Sequence, residues 1–404
     1  MYRPAARLAE IEPFHVVELL TRARQLEAEG RDIIHMEVGE PDFPTPDPIA
    51  EAAIDAIRQG HTRYTETLGL PALREAISRF YGERYGVDVP AGRIAVTNGA
   101  SGALNLAFAC LAESGSQWLL ADPGYPCNRH ILRTFSGRPQ NIPVGPESNF
   151  QPTPDQVRQY WQPETAGLLV ASPANPTGTL LSLDDTRALA NVCREKNGHF
   201  LVDEIYHGLT YPEGDAPTDT PPDVPSACAA GDDIWIINSF SKYFQLTGWR
   251  LGWMVIPEAY VRDVEKLAQN LTLCPSTPAQ YGALAAFLPE TIAILESRRL
   301  EFRQRRDFLA PALERIGFRI IARPEGAFYL YCDCSALTDD SFTLARRLLE
   351  ETGVAATPGV DFGFNAPEKH IRFAYTTNIE RLAEAADRLG RYFNRQGQSG
   401  AIGA

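Results

Sequence analysis

Ser239-Phe-Ser-Lys242 sets a lysine just behind two hydroxyls, and Arg250 follows inside Gly248-Trp-Arg-Leu-Gly252. A lysine that forms an imine with an aldehyde cofactor needs neighbours that fix the cofactor's phosphate. Serine hydroxyls and a bidentate arginine suit that task. The competing reading is a surface lysine after a strand. Asn175-Pro-Thr-Gly178 follows the apolar run Leu168-Leu-Val-Ala171. It reads either as a Pro-Gly turn or as an amide donating to a phenolate oxygen. Asp203-Glu-Ile-Tyr206 ends the run His199-Phe-Leu-Val-Asp203. A carboxylate at the end of an apolar strand is costly to bury without a cation. A protonated pyridine nitrogen would be such a cation, and Tyr206 would offer a hydroxyl to the same ring; otherwise Asp203 caps the next segment. Gly99-Ala-Ser-Gly102 lies between an apolar run and a helix starting near Ala103, where backbone N–H groups and the helix dipole favour an anion. Ser101 adds a hydroxyl there, although such turns also occur without ligands. In Asp122-Pro-Gly-Tyr125, Tyr125 either stacks on an aromatic ring or packs in the core.

These groups need a frame. Asn175, Asp203 and Lys242 each fall just after a β run, where open α/β sheets place their ligands. Short apolar runs at 93–97, 117–121, 139–143, 167–171, 199–203, 234–238 and 252–256 predict seven strands. Amphipathic segments at 101–113, 183–196, 258–270 and 277–288 predict helices between them, together giving a mostly parallel sheet covered on both faces. Before it, the pattern predicts a helix at 15–29, a strand at Ile33–Glu37 and helices near 47–59 and 71–86. After Pro289 a long helix spans about 290–316, strands near 318–322, 326–332 and 369–375 follow, and helices fall at 341–352 and 378–394. The expected division is a large unit, 46–288, and a smaller α+β unit built from 1–45 plus 289–404. The Pro- and Asp-rich stretch 212–225 reads as a surface excursion, and the Gly- and Ser-bearing tail 396–404 as mobile.

The bulk numbers remove several function classes. With 404 residues, two domains are expected. A formal net charge of −13 speaks against nucleic acid or an anionic membrane as partner. The N-terminus has no apolar leader pattern and no apolar stretch approaches 18 residues, so a cytoplasmic protein is expected. The 7 cysteines are odd in number and scattered, which suits reduced thiols. Cys332-Asp-Cys334 lacks the further ligands that structural zinc requires, and no metal site is expected.

Taken together, the motifs resemble the class I (class I/II) aminotransferases, pyridoxal-phosphate enzymes of fold type I. The resemblance runs from about residue 10 to 394 and keeps its order from Val38-Gly-Glu-Pro-Asp-Phe43 to Arg372-Phe-Ala-Tyr375. It implies a Schiff base between Lys242 and pyridoxal 5'-phosphate, with Lys242, Asp203 and Tyr206 as the catalytic set. Asp203 would pair with the ring nitrogen, Asn175 and Tyr206 would meet the ring oxygen, and Tyr125 would stack on the ring. Ala100, Ser101, Gly102, Ser239, Ser241 and Arg250 would surround the phosphate, joined by Tyr64 of a neighbouring subunit, which makes the expected unit a homodimer. Arg372 would clamp the substrate α-carboxylate, with Gly39 and Asn175 beside it. Phe14 and His15 resemble positions that line the substrate side-chain pocket, although Phe14 also reads as core. The implied reaction moves an amino group from an L-amino acid to a 2-oxo acid such as 2-oxoglutarate or pyruvate. A neutral or aromatic donor is preferred, with alanine a further candidate, because no second cation for a distal carboxylate can be placed. The alternative is a C–S β-lyase on the same scaffold, using the same lysine, aspartate and arginine.

Overall fold

The computed structural model describes residues 3–211, 224–322 and 324–400, the last five by backbone alone. The stretch 212–225 therefore lies mostly outside the described residues, as do the last four residues of the tail.

Seven strands form the main sheet, in the spatial order Ile94–Thr97, Gly252–Val255, Trp235–Ser239, His199–Asp203, Thr165–Ala171, Gln117–Asp122, Arg138–Pro143. Gly252–Val255 runs antiparallel to both neighbours, and the remaining pairs are parallel. The other six strands thus share one direction and gather their C-terminal ends at one edge. Successive residues of a strand enter different cores. Leu168, Val170, Phe200, Val202 and Ile236 pack on one face; Leu169, Leu201, Trp235 and Ile237 pack on the other. Helices cover both faces, so the runs read as continuously apolar rather than alternating. Truncating one such residue, Leu201→Ala for example, would cost ~2–5 kcal/mol.

A four-stranded antiparallel sheet, Thr357–Pro358, His370–Ala374, Tyr329–Asp333 and Arg319–Ile320, forms a second layer. The two-residue strand Ile34–His35 pairs in parallel with Val354–Ala355, which ties the N-terminal segment to the C-terminal part of the chain. The helix Pro289–Ile316 begins with proline in its first turn and ends at Gly317 with φ 113°, as the helix-boundary preferences require.

The differences from the sequence reading have local causes. The helix Gly99–Leu111 starts at Gly99, so Gly99-Ala-Ser-Gly102 is its first turn and not a loop before it. Two short helices, Pro126–Thr134 and Pro154–Tyr160, escape the hydrophobic pattern. The first buries Asn128 and Arg129 beside Leu132, so its inner face is partly polar. The second carries a capping box, Thr153 with Gln156, which was the available signal. The segment predicted as one helix at 341–352 is an α-helix, Ser341–Arg347, continued by a π-turn, Leu348–Thr352. The last helix, expected to stop at 394, runs Ile379–Gly400, so residues 396–400 of the expected mobile tail are helical.

Candidate active site

The shared strand edge and the small sheet enclose a cavity of about 320 Å³. Lys242 reaches it from the loop that follows Trp235–Ser239. That loop is pinned from inside: Phe240 is fully buried, 4.8 Å centroid to centroid from Trp253, and its N–H donates to Leu251 O at 3.1 Å. Lys242 Nζ donates to the carbonyl of Gly39 at 2.5 Å. Burial lowers its pKa to about 8, because an ammonium is poorly solvated there.

One end of the cavity is a cradle of donors. Ser239 Oγ bonds to Ser241 Oγ at 2.9 Å and accepts from Ser241 N–H at 3.0 Å. Arg250 sits in the left-handed region (φ 55°) with Nη1 donating to Thr247 O at 2.8 Å. The first turn of Gly99–Leu111 brings Ala100 and Ser101 to the same wall. Close approach of these pieces depends on Gly252: a Cβ there would lie 2.9 Å from Ala100 N and 2.8 Å from Gly99 C. A Cβ on Gly99 would likewise lie 2.8 Å from Arg250 Nη2. Helix N–H groups, two hydroxyls and a guanidinium converging in this way form an anion site of phosphate character.

Deeper in the wall, Asp203 is buried at its strand end and accepts from Ile205 N–H at 3.1 Å. Burial raises its pKa to about 6, outweighing the Ile205 N–H and the charge of Lys242, which act the other way. The donor set therefore fits a phosphorylated aromatic cation lying between Asp203 and the cradle. Tyr125 lines the same cavity, its ring edge-on to Phe14 at 6.4 Å. Tyr206 and Asn175 line it too, and Asn175 Oδ1 accepts from Arg372 Nη1 at 2.8 Å.

Arg372 occupies the opposite end. Its Nη2 donates to Glu37 O at 2.6 Å and to Thr357 Oγ1 at 3.2 Å, while the buried Nε has no hydrogen-bond partner among the described residues. The guanidinium carbon lies over the rings of Tyr329 and Phe362, 4.2 and 4.8 Å from their centroids. A planar cation held against two rings, with donor capacity to spare, is suited to a carboxylate. Lys242 lines the same cavity as Arg372 and Asp203 and feels the charge of both, so its amine is available for general acid–base work at a bound amino acid.

Thirteen of the residues singled out by sequence line the cavity: Phe14, Gly39, Ala100, Ser101, Tyr125, Asn175, Asp203, Tyr206, Ser239, Ser241, Lys242, Arg250 and Arg372. Gly102 does not; it sits one residue further along the helix, off the lining. Tyr64 is 81% exposed and lies outside this cavity. His15 turns away to meet the ring of Phe342 at 5.4 Å, so of the Phe14–His15 pair only Phe14 lines it. Sequence reasoning missed Tyr329 and the apolar wall of Val16, Val17, Leu20 and Ile131. The helical spacing of Val16 and Leu20 was visible, but it does not distinguish a cavity face from a core face.

Comparison with known proteins agrees with this geometry. The family described as "Aminotransferase class I and II" matches residues 31–389. A valine–pyruvate aminotransferase of Mycobacterium tuberculosis is 35% identical over 388 residues, covering 96% of this chain and 98% of the relative. An aspartate aminotransferase of Thermotoga maritima is 33% identical over 391 residues, covering 96% and 98%. A crystal structure of an aminotransferase from Mycobacterium tuberculosis superposes with a TM-score of 0.93 at 35% identity, covering 98% of this chain and all 100% of that one. With a mostly parallel sheet of fold type I and homology along almost its whole length, the chain belongs to the class I and II aminotransferases.

Proposed function

We propose that this aminotransferase takes its amino group from a neutral L-amino acid, aliphatic (alanine included) or aromatic, and passes it to a 2-oxo acid such as pyruvate or 2-oxoglutarate. The observation that carries the donor class is the wall of Phe14, Val16, Val17, Leu20 and Ile131. The cations among the described lining residues are Lys242, Arg250 and Arg372, which leaves none for a distal carboxylate.

Members of this family work with pyridoxal 5'-phosphate, and the donor set fits it. Ala100, Ser101, Ser239, Ser241 and Arg250 would hold the phosphate, and Asp203 the ring nitrogen. Asn175 and Tyr206 would meet the ring oxygen, with Tyr125 against the ring. When bound to Lys242, the cofactor supplies an electron-accepting ring for the charge left at the substrate Cα. Asp203 keeps the ring nitrogen protonated, because a buried carboxylate is stabilised by a cation beside it. Arg372 pairs with the α-carboxylate through a planar grip that orients the Cα–H bond. Lys242 Nζ, released from the cofactor when the substrate amine takes its place, would take the Cα proton, and burial, which lowers the pKa of the free amine, favours the neutral form that this needs. Phe14 and the helix His15–Ala28 cover the substrate side chain and exclude water from it.

The same reading assigns residues 46–288 to a large unit and 1–45 with 289–404 to a small one. In support, the seven-stranded sheet lies within the first and the four-stranded sheet within the second. A homodimer is supported by the 81% exposure of Tyr64, which is then available to a partner's phosphate. Seven free cysteines support a reducing, cytoplasmic setting. Among the described residues no helix is long and apolar enough to cross a membrane.

Initial rates with pyruvate and 2-oxoglutarate across a panel of donors test the reading. Alanine, valine or phenylalanine should exceed aspartate in kcat/KM by ~10-fold or more, about 1.4 kcal/mol of transition-state discrimination. Aspartate as the best donor would overturn the donor class.

A further inference from the structure

Tyr329 touches both ends of the site. It opens the strand Tyr329–Asp333, where it faces Ala374 of the neighbouring strand while Tyr331 faces Arg372. Residues two apart share a face of a sheet, so Tyr329 is the diagonal neighbour of Arg372. Its ring centroid lies 4.2 Å from the Arg372 guanidinium carbon. Its hydroxyl lies 2.7 Å from the hydroxyl of Tyr206. Gly39 makes room for that hydroxyl, since a Cβ there would come within 2.0 Å of it. Gly39 O is also the acceptor for Lys242 Nζ.

Proton counting gives the tyrosine pair a direction. Each phenol carries one hydrogen, and burial pushes both hydroxyls above their ordinary pKa, so both keep it. The 2.7 Å contact uses one of the two hydrogens. If Tyr206 is to donate to a ligand, Tyr329 must be the donor within the pair. Tyr206 then has its acceptor filled, and its own hydrogen is left for the cavity.

We propose that Tyr329 is a positioning residue serving both ends of the site: its hydroxyl donates to Tyr206 and frees the Tyr206 proton for the cofactor's ring oxygen, while its ring holds the Arg372 plane for the substrate carboxylate. This rests on the pyridoxal phosphate reading above. Negative charge on the ring oxygen favours a proton on Lys242 Nζ in the loaded protein. Weakening the Tyr206 donor therefore raises the pH at which that proton is lost.

The test uses the loaded enzyme and four variants: Tyr329→Phe, Tyr206→Phe, the double variant, and Tyr329→Leu. The first readout is the pH midpoint of the bound cofactor's visible absorption, which activity does not enter. Tyr329→Phe should raise it by about 0.5 pH unit, roughly the effect of one weakened hydrogen bond, and leave the KM for amino donor within about twofold. Tyr206→Phe should raise it at least as far, and the double variant should add nothing further, because the two residues act as one unit. Tyr329→Leu should show the same midpoint rise together with a KM increased about tenfold, since the stacking partner of Arg372 is gone. An unchanged midpoint in Tyr329→Phe, or shifts that add in the double variant, would overturn the proposal. A wild-type protein that gains no visible absorption with pyridoxal phosphate would overturn it together with the reading beneath it, a result distinct from a normal absorption that Tyr329→Phe leaves unmoved.

Discussion

The two ends of the cavity are built in different ways. At the phosphate-like end, the parts are a helix start, a strand-end loop and the turn carrying Arg250. They are brought together by strands of one sheet and allowed to touch by Gly99 and Gly252. At the other end, Tyr329 and Arg372 sit on paired strands of the small sheet, while Phe14 and Gly39 come from the N-terminal segment and are tied in by the Phe14–Tyr125 ring contact and the bond from Lys242 Nζ to Gly39 O. One sheet edge builds the first end, and a second sheet with the N-terminal segment builds the other. The cradle should therefore govern cofactor affinity, and the far wall donor preference, with Tyr329 as the residue that links them.

The most severe break should come where the two ends meet. Lys242→Ala is expected to lower turnover by ~10⁴-fold or more, since it removes the proton carrier, while the melting temperature stays close to that of the wild type. Steady-state rates with alanine and calorimetry on the same preparation check this. Asp203→Asn should lower kcat by about 10²–10⁴-fold through the ring nitrogen. In the cofactor-free protein the same change should stabilise. The Asp203 pKa is raised from 3.8 to about 6 by burial, so the wild-type contribution is present below 3.8 and is lost as pH rises through about 6. Asparagine escapes that loss. Chemical denaturation should show a gain of order 1–3 kcal/mol at pH 8 and none near pH 3.5.

Two smaller effects sharpen the contrast. Gly252→Ala places a Cβ 2.9 Å from Ala100 N and should weaken pyridoxal phosphate binding about tenfold, with the ranking of donors unchanged. Fluorescence titration of the cofactor gives the first quantity and the donor panel the second. Phe14→Ala should do the reverse. It should alter relative kcat/KM for phenylalanine and alanine about threefold to tenfold and leave the cofactor Kd within twofold. If either variant moved both quantities equally, the division between the ends would fail.

What could be read in advance follows the same division. The strand ends carrying Asn175, Asp203 and Lys242 were legible because costly polar groups interrupt apolar runs, a signal that is local in sequence. Arg372 and Gly39 came from the family resemblance, since an arginine inside a short strand carries no local mark of its partners. Tyr329 was not legible. Its hydroxyl meets Tyr206 across 123 positions of the chain, and an aromatic in a strand reads first as core. Gly102 falls off the cavity lining, in the first turn of a helix that starts at Gly99, earlier than the apolar periodicity suggests. The helix Pro126–Thr134 was missed because its inner face is partly polar.

The central claim is that Lys242 and its neighbours move an amino group from donor to cofactor and stop until an acceptor arrives. Mixing the pyridoxal phosphate-loaded protein with excess alanine and no 2-oxo acid tests it in one experiment, reading visible absorption, pyruvate and ammonia together. The account predicts loss of the visible band with one equivalent of pyruvate per subunit and no free ammonia. Continuing release of pyruvate and ammonia with the band retained would contradict it.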